Sequence, residues 1–314
     1  MSSRTLTKAA AVLVTGGLMF AAVPATASAL DLSALDTGSL GAIAPLLEAG
    51  SSAGPAAPTA SVLKSVANFR DVAGNVGDGY ATADGKHLKR GVIYRSNALT
   101  KTSDDDKATL LELGLADVYD LRGLGEVADK MMGGEDKLPA GVNYVPTPID
   151  AGDLVKLATT LKTPAEGTAY MEETNRSYVT NSDSRAAFAQ VLTALATEEG
   201  AQLFHCTSGK DRTGWTAMLL QSIAGVDSKT IMDDYMVSNA YLEATTQKTL
   251  GMITAAIGAD AAANLTPVLR VEENFLKAGL DQITTSYGTM DDYLTEGLGL
   301  SADTISKLKA KLVS

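Results

Sequence analysis

The sequence predicts an α/β protein in which a mostly parallel central sheet is flanked by helices and prolonged by an extended helical C-terminal part. Three observations carry this reading. Up to residue 205, short apolar strand-like runs alternate with helical patterns, as parallel strands joined by covering helices require. Beyond Asp211 the strand signals cease and helical periodicity continues almost to the end. The apolar supply suits a large core, with 314 residues, 45% of them hydrophobic, and a mean hydropathy of +0.06.

The chain opens on an address. Arg4 and Lys8 precede an apolar run over residues 9–23, followed by Pro24 and by the small-x-small site Ala27-Ser28-Ala29. That is the three-part form of a secretory signal peptide, expected over residues 1–29. The apolar run is shorter than the roughly 20 residues that cross a bilayer as a helix, so it does not read as an anchor. Residues 30–61 are rich in Ala, Gly, Ser and Pro and read as a linker, because they bury too little apolar area to offset their ordering entropy. Residues 62–314 show no second linker and no internal repeat, which predicts a single catalytic-size domain.

Within that domain, Gly91-Val92-Ile93-Tyr94 reads as a short buried strand. Thr102-Ser103-Asp104 then caps a helix with Leu110, Leu111 and Leu113 on its apolar face and Gly114 as its stop. Val118-Tyr119-Asp120-Leu121 is a second strand and Val142-Asn143-Tyr144-Val145 an alternating third. Residues 187–196 carry Phe188, Val191, Leu192 and Leu195 at helical spacing, and 201–205 form an apolar run. Helical segments follow at 213–223, 228–241, 262–280, 287–298 and 302–312. The last is capped by Ser301 and ends among Lys307, Lys309 and Lys311, which suit a helix C-terminus.

The chemistry concentrates in His205-Cys206-Thr207-Ser208-Gly209-Lys210-Asp211-Arg212-Thr213-Gly214. This stretch follows a strand-like run and opens a helix, the place where backbone N–H groups and the helix dipole converge on an anion. Gly209 and Gly214 supply backbone freedom and close approach. Cys206, at the head of such a loop and near Arg212, has its thiolate stabilised and becomes a nucleophile at neutral pH. The spacing from Cys206 to Arg212 lets the loop curl, so that a planar guanidinium clamps phosphoryl oxygens opposite the sulfur. Thr213 is placed to offer its hydroxyl to the sulfur, and Thr207, Ser208, Gly209, Lys210 and Gly214 are the expected phosphate-binding positions.

The same residues resemble the cysteine-dependent protein tyrosine phosphatase signature, His-Cys, five residues, Arg, then Ser or Thr. Asn68-Phe69-Arg70-Asp71, Tyr94-Arg95-Ser96, Asp120-Leu121-Arg122 with Glu126, and Thr285-Ser286-Tyr287-Gly288 extend the similarity to the bacterial Tyr/Ser phosphatase family. The resemblance covers roughly residues 62–314. It implies the α/β fold of cysteine-dependent tyrosine phosphatases, no metal and no other cofactor. It also implies hydrolysis of phosphotyrosine, often with phosphoserine, phosphothreonine or phosphoinositides. The expected product is a secreted phosphatase acting on a phosphorylated protein or a phosphoinositide, with no stable membrane insertion after leader cleavage.

One departure concerns the proton donor to the leaving group. Larger tyrosine phosphatases carry it in a Trp-Pro-Asp loop, whereas Trp215, the single Trp of this chain, follows the Cys206 loop. The candidates are Asp120, Asp211, Asp150 and Asp153, of which the resemblance favours Asp120 and Asp211. Lys210 is a candidate for a second phosphate on inositol lipids. Arg70, Arg95 and Arg122 either line the pocket or pair with Asp71 and Glu126, and pairing is expected for Arg122. Composition excludes other classes. A single cysteine supports neither a disulfide framework nor a cysteine zinc site, and a net charge of -11 opposes nucleic-acid backbone binding. Two alternatives stay open, a catalytically weak phosphate-binding module and a rhodanese-type sulfurtransferase, whose anion loop is typically shorter.

Overall fold

The computed structural model describes residues 61–314 apart from residue 76, residues 129–133 and residues 151–153. The expected leader, all but the last residue of the expected linker, and Asp153 lie outside the described residues.

Five strands form one sheet in the order β1-β2-β5-β3-β4. They are β1 (Arg70–Asp71), β2 (Ile93–Asn97), β3 (Leu115–Asp120), β4 (Asn143–Pro146) and β5 (Ala201–Cys206). Only β1 runs antiparallel to its neighbour, and the β2–β5, β5–β3 and β3–β4 pairings are parallel. β5 is buried along its whole length, as a central parallel strand covered on both faces must be. The register sets Asn97 opposite Cys206 and Asp120 opposite His205, which brings the carboxyl ends of β2, β5 and β3 together at one edge. That is where open α/β sheets place their ligands.

Side-chain alternation sorts the core into two layers. Ile93, Tyr119 and Phe204 face one side with Phe188, Leu192, Trp215, Leu219 and Leu308. Their neighbours Tyr94, Val118 and Leu203 face the other with Leu63, Phe69, Leu99 and Leu110. The first layer is roofed by α5 (Ser182–Thr197), α6 (Arg212–Ala224) and α12 (Ala302–Leu312), and α1 (Asp104–Glu112) covers the second. α1 starts where expected, with the Ser103 side chain accepting the Asp106 amide, but Leu111 is 50% exposed, so its apolar stripe is narrower than its sequence suggests. A third apolar cluster, built on Met171, Ile253, Leu265, Val268 and Phe275, lies among the remaining helices. These are α3 (Leu154–Thr160), α4 (Pro164–Thr180), α8 (Ser238–Ile257), α9 (Ala259–Leu269) and α10 (Glu273–Tyr287).

Several expected elements are cut differently. β2 begins after Gly91, which adopts φ 82°, and runs on through the polar but buried Arg95 and Ser96. β4 is an edge strand with mostly exposed side chains, so its alternation buries little. The helix expected over 228–241 divides at Val237 into α7 (Ser228–Met236) and α8. The helix expected over 262–280 stops at Leu269, because Pro267 withholds an amide in the last turn and Asn239 captures both the N–H and the C=O of Val271. The segment expected at 287–298 becomes the short α11 (Met290–Asp292) and a π-helical turn, Tyr293–Gly297. α12 matches its expected bounds. α4 is absent from the sequence reading, although Thr163-Pro164 with Glu166 is a capping signal: the Thr163 side chain accepts the Glu166 amide.

Candidate active site

Cys206 ends β5 and Arg212 begins α6, so the intervening loop lies between a central strand and a helix N-terminus. Two buried side chains hold its backbone from behind. Asn68 Nδ2 donates to the carbonyls of Ser208 (3.3 Å) and Gly209 (2.8 Å), and Arg95 Nη2 donates to the Gly209 carbonyl at 3.0 Å. Because the peptide is planar and trans, turning these carbonyls toward Asn68 and Arg95 turns the next amides the opposite way. Asn68 and Arg95 do not line the pocket, whereas Cys206, Thr207, Ser208, Lys210, Asp211 and Arg212 do. The amides of Gly209 and Lys210 therefore serve the pocket side. Gly209 has φ 70°, and a Cβ there would meet the Ser96 carbonyl at 2.2 Å, so glycine is demanded both by conformation and by contact with β2.

The Cys206 side chain is buried, which alone pushes its thiol pKa up. The Arg212 charge and the hydroxyl and amide of Thr213 outweigh that, and the thiol lies below its ordinary range. The Thr213 hydroxyl has no other partner among the described residues. Arg212 is oriented by the Glu126 carboxylate, through Nη1 to Oε2 at 2.6 Å and Nη2 to Oε1 at 2.8 Å, and by the carbonyls of Leu121 and Ile149. No hydrogen bond to a described residue uses its Nε, which stays available to a phosphoryl oxygen. Glu126 sits on the five-residue α2 (Leu124–Ala128) and also receives the Thr207 hydroxyl and the Gly123 amide. Lys210, 4% exposed, places Nζ 3.0 and 2.7 Å from the two Asp211 oxygens.

The structure separates the two favoured proton donors. Asp211 lines the pocket with Cys206. Asp120 does not: it is 1% exposed and accepts the Arg122 amide, Arg122 Nε and Nη2 (2.7 Å to Oδ2) and the Tyr144 hydroxyl at 2.8 Å. Burial raises its pKa, but the His205 and Arg122 charges bring it down to about 2, so it has no proton to give near neutrality. Asp120 is thus part of the scaffold, and the expectation of a catalytic role is corrected. Arg122 pairs as expected, though with Asp120 and Asp136 (3.0 Å) rather than Asp71 or Glu126. Asp136 also lies 2.9 Å from His205 Nε2. Asp120, Asp136 and His205 each bring one ligand atom within 4.8 Å of the others, but Arg122 and a protonated His205 together balance the two carboxylates. Asp150 lies on the exposed chain after Ile149.

Gly214 is also reassigned. It is the third residue of α6, its amide bonds the Lys210 carbonyl at 2.9 Å, and a Cβ would strike the Tyr235 ring at 2.8 Å. It permits helix packing and does not line the pocket. Sequence reasoning missed the walls of the site, which are Tyr170, Met171, Thr174 and Tyr178 from α4 and Val268 and Leu269 from α9. It also missed Asp234, the buried partner of Arg70 and Arg95. Neither has a local motif: four of the wall residues lie on α4, which went unread, Val268 and Leu269 look like ordinary core positions of a helix, and Asp234 looks like one of several acids in an amphipathic helix.

Comparisons with known proteins give the family. A family model described as "Tyrosine phosphatase family" matches residues 61–314. A Cupriavidus necator protein assigned as a tyrosine-protein phosphatase is 32% identical over 239 residues, covering 74% of this chain and 82% of that protein. The triple specificity protein phosphatase PtpB of Mycobacterium tuberculosis is 30% identical over 279 residues, 78% of this chain and 96% of its own. The likeness to the solved structure of P. aeruginosa TpbA in complex with pTyr is distant, at 17% identity and a TM-score of 0.26 over 57% of this chain and 90% of that one. The family match over the whole described domain establishes that the chain belongs to the tyrosine phosphatase family and is a protein-tyrosine-phosphatase.

Proposed function

We propose that the chain is an exported phosphatase that dephosphorylates phosphotyrosine through a phosphocysteine intermediate on Cys206. The observation that supports this best is a buried thiol held below its ordinary pKa at the head of a loop whose Ser208 and Gly209 carbonyls are turned from the pocket by Asn68 and Arg95. The thiolate attacks phosphorus and the P–O bond to the aryl group breaks. Arg212 and the loop amides hold the equatorial oxygens, and Asp211 supplies the proton to the leaving phenolate. In the second step a water attacks phosphorus, Asp211 takes its proton, and the S–P bond breaks as the Thr213 hydroxyl stabilises the returning thiolate. No step calls on a metal. The reading predicts hydrolysis of p-nitrophenyl phosphate that survives EDTA, is inhibited by vanadate and is lost in Cys206→Ser. EDTA-sensitive turnover, or activity retained in Cys206→Ser, would refute it.

Substrate breadth and export belong to the same proposal. Lys210 lines the pocket and is released from Asp211 when a second phosphate competes for its charge, which favours acceptance of phosphoinositides. A Lys210→Ala variant with an unchanged ratio of phosphoinositide to phosphotyrosine turnover would refute that part. Export rests on the N-terminal pattern ending at Ala29, and recovery of a chain starting at Leu30 from the medium is the expected result. No helix of the described residues is long and apolar enough to cross a membrane.

A further inference from the structure

Behind the phosphate loop lies a buried charge cluster that the reaction steps above do not use. Asp234, on α7 and 3% exposed, receives Arg70 Nε at 3.0 Å on Oδ1 and Arg95 Nη1 at 2.9 Å on Oδ2. The Tyr80 hydroxyl donates to the same Oδ1 at 3.2 Å. Both arginines pass the contact on. Arg95 Nη2 donates to the Gly209 carbonyl at 3.0 Å, and Arg70 Nη1 donates to Asn68 Oδ1, whose Nδ2 reaches the same Gly209 carbonyl at 2.8 Å. Arg70 is further fixed by the Asp234 carbonyl and the Ser238 hydroxyl. One carboxylate thus holds two arms that end on one loop oxygen. Asn68 holds its arm from a left-handed backbone, φ 57°, a conformation that needs support from its surroundings.

The charge count is unbalanced in a telling direction. Two guanidinium groups share one carboxylate, all three buried, and such a cluster is a weak stabiliser when judged by stability alone. The excess positive charge and the converging donors both lie on the side of the loop opposite the pocket. We propose that Asp234 is a positioning residue for the phosphate site: through Arg95 and through the Arg70–Asn68 pair it locks the Gly209 carbonyl away from the pocket and keeps the Lys210 amide aimed at a bound phosphoryl group. This rests on reading the loop as the phosphate site.

Calorimetric titration of inorganic phosphate into the full chain carrying Cys206→Ser tests the assignment without requiring turnover. Asp234→Asn preserves shape and removes a negative charge, so electrostatics alone would tighten phosphate binding, whereas positioning predicts loosening by about tenfold or more. Asn68→Ala leaves both arginine–Asp234 contacts in place and is expected to loosen phosphate comparably. It decides the matter if Asp234→Asn fails to fold. Phosphate affinity that is unchanged or tightened in a folded Asp234→Asn chain, or that stays within about twofold in Asn68→Ala, overturns the assignment. Failure of the Cys206→Ser parent to bind phosphate overturns instead the reading of the loop, and the assignment with it.

Discussion

Glu126 grips Arg212 by both Nη atoms, at 2.6 and 2.8 Å, while the same carboxylate takes the hydroxyl of Thr207 in the phosphate loop. The clamp is therefore aimed before any substrate arrives, which avoids ordering a long side chain at the moment of reaction. Glu126→Ala is expected to raise the vanadate inhibition constant and lower kcat/KM by roughly one to two orders of magnitude. Arg212→Lys should do at least as much, because an ammonium cannot make the paired contact. Steady-state kinetics with p-nitrophenyl phosphate reads both.

The separation of Asp211 from Asp120 predicts opposite phenotypes. Asp211→Asn is expected to slow turnover of phosphotyrosine peptides by about 10²-fold, with a smaller effect on substrates whose leaving group needs no proton. Asp120→Asn leaves Arg122 and His205 with an incomplete partner set and should lower stability by about 3 kcal/mol while sparing that leaving-group dependence. Comparing the slope of log kcat against leaving-group pKa in the two variants checks this.

The Cys206 thiol supplies a third expectation. Burial works against ionisation, and Arg212 with Thr213 works for it more strongly. Iodoacetamide alkylation of Cys206 should reach half its maximal rate at a pH below that of a free thiol, and Arg212→Ala should move the midpoint upward. Because Cys206 is the single cysteine, mass spectrometry reads the alkylation without ambiguity.

His205 couples pH to stability. Burial lowers its pKa, but Asp136 and then Asp120 raise it to about 9 against an ordinary 6.5. The folded chain therefore retains a proton that the unfolded chain releases. Stability from this ion pair is full below pH 6.5 and declines as pH rises through about 9. In the Cys206→Ser background, which removes the opposing thiol titration, the melting temperature should fall by several degrees across that window, roughly as a loss of one or more kcal/mol implies. His205→Gln should flatten the decline. A melting temperature that rises over this window would contradict the account.

The readable part of this protein was the part encoded locally. The Cys206–Arg212 loop announces itself because strand, cysteine, arginine and helix fall within a short stretch of chain, and the α5 stripe of Phe188, Val191, Leu192 and Leu195 is buried throughout. What escaped was encoded at a distance. Val271 ends a helix because Asn239, 32 positions earlier, takes both its backbone groups. Asp120 looks catalytic at the carboxyl end of a strand, and only its contacts with Arg122, Tyr144 and His205 reveal a structural acid. Asp234 has no motif at all, and its meaning comes from two arginines that lie 164 and 139 positions away in the sequence.

The central claim is that Cys206 carries the phosphoryl group. Rapid quench in alkaline SDS of the chain mixed with ³²P-labelled phosphotyrosine peptide, followed by peptide mapping without acid, measures it most directly. The account predicts label on Cys206 that survives alkali but not mild acid, appears within one turnover, accumulates in Thr213→Ala and is absent in Cys206→Ser. Product formed with no protein-bound label in either chain, or label on any residue other than Cys206, would contradict it.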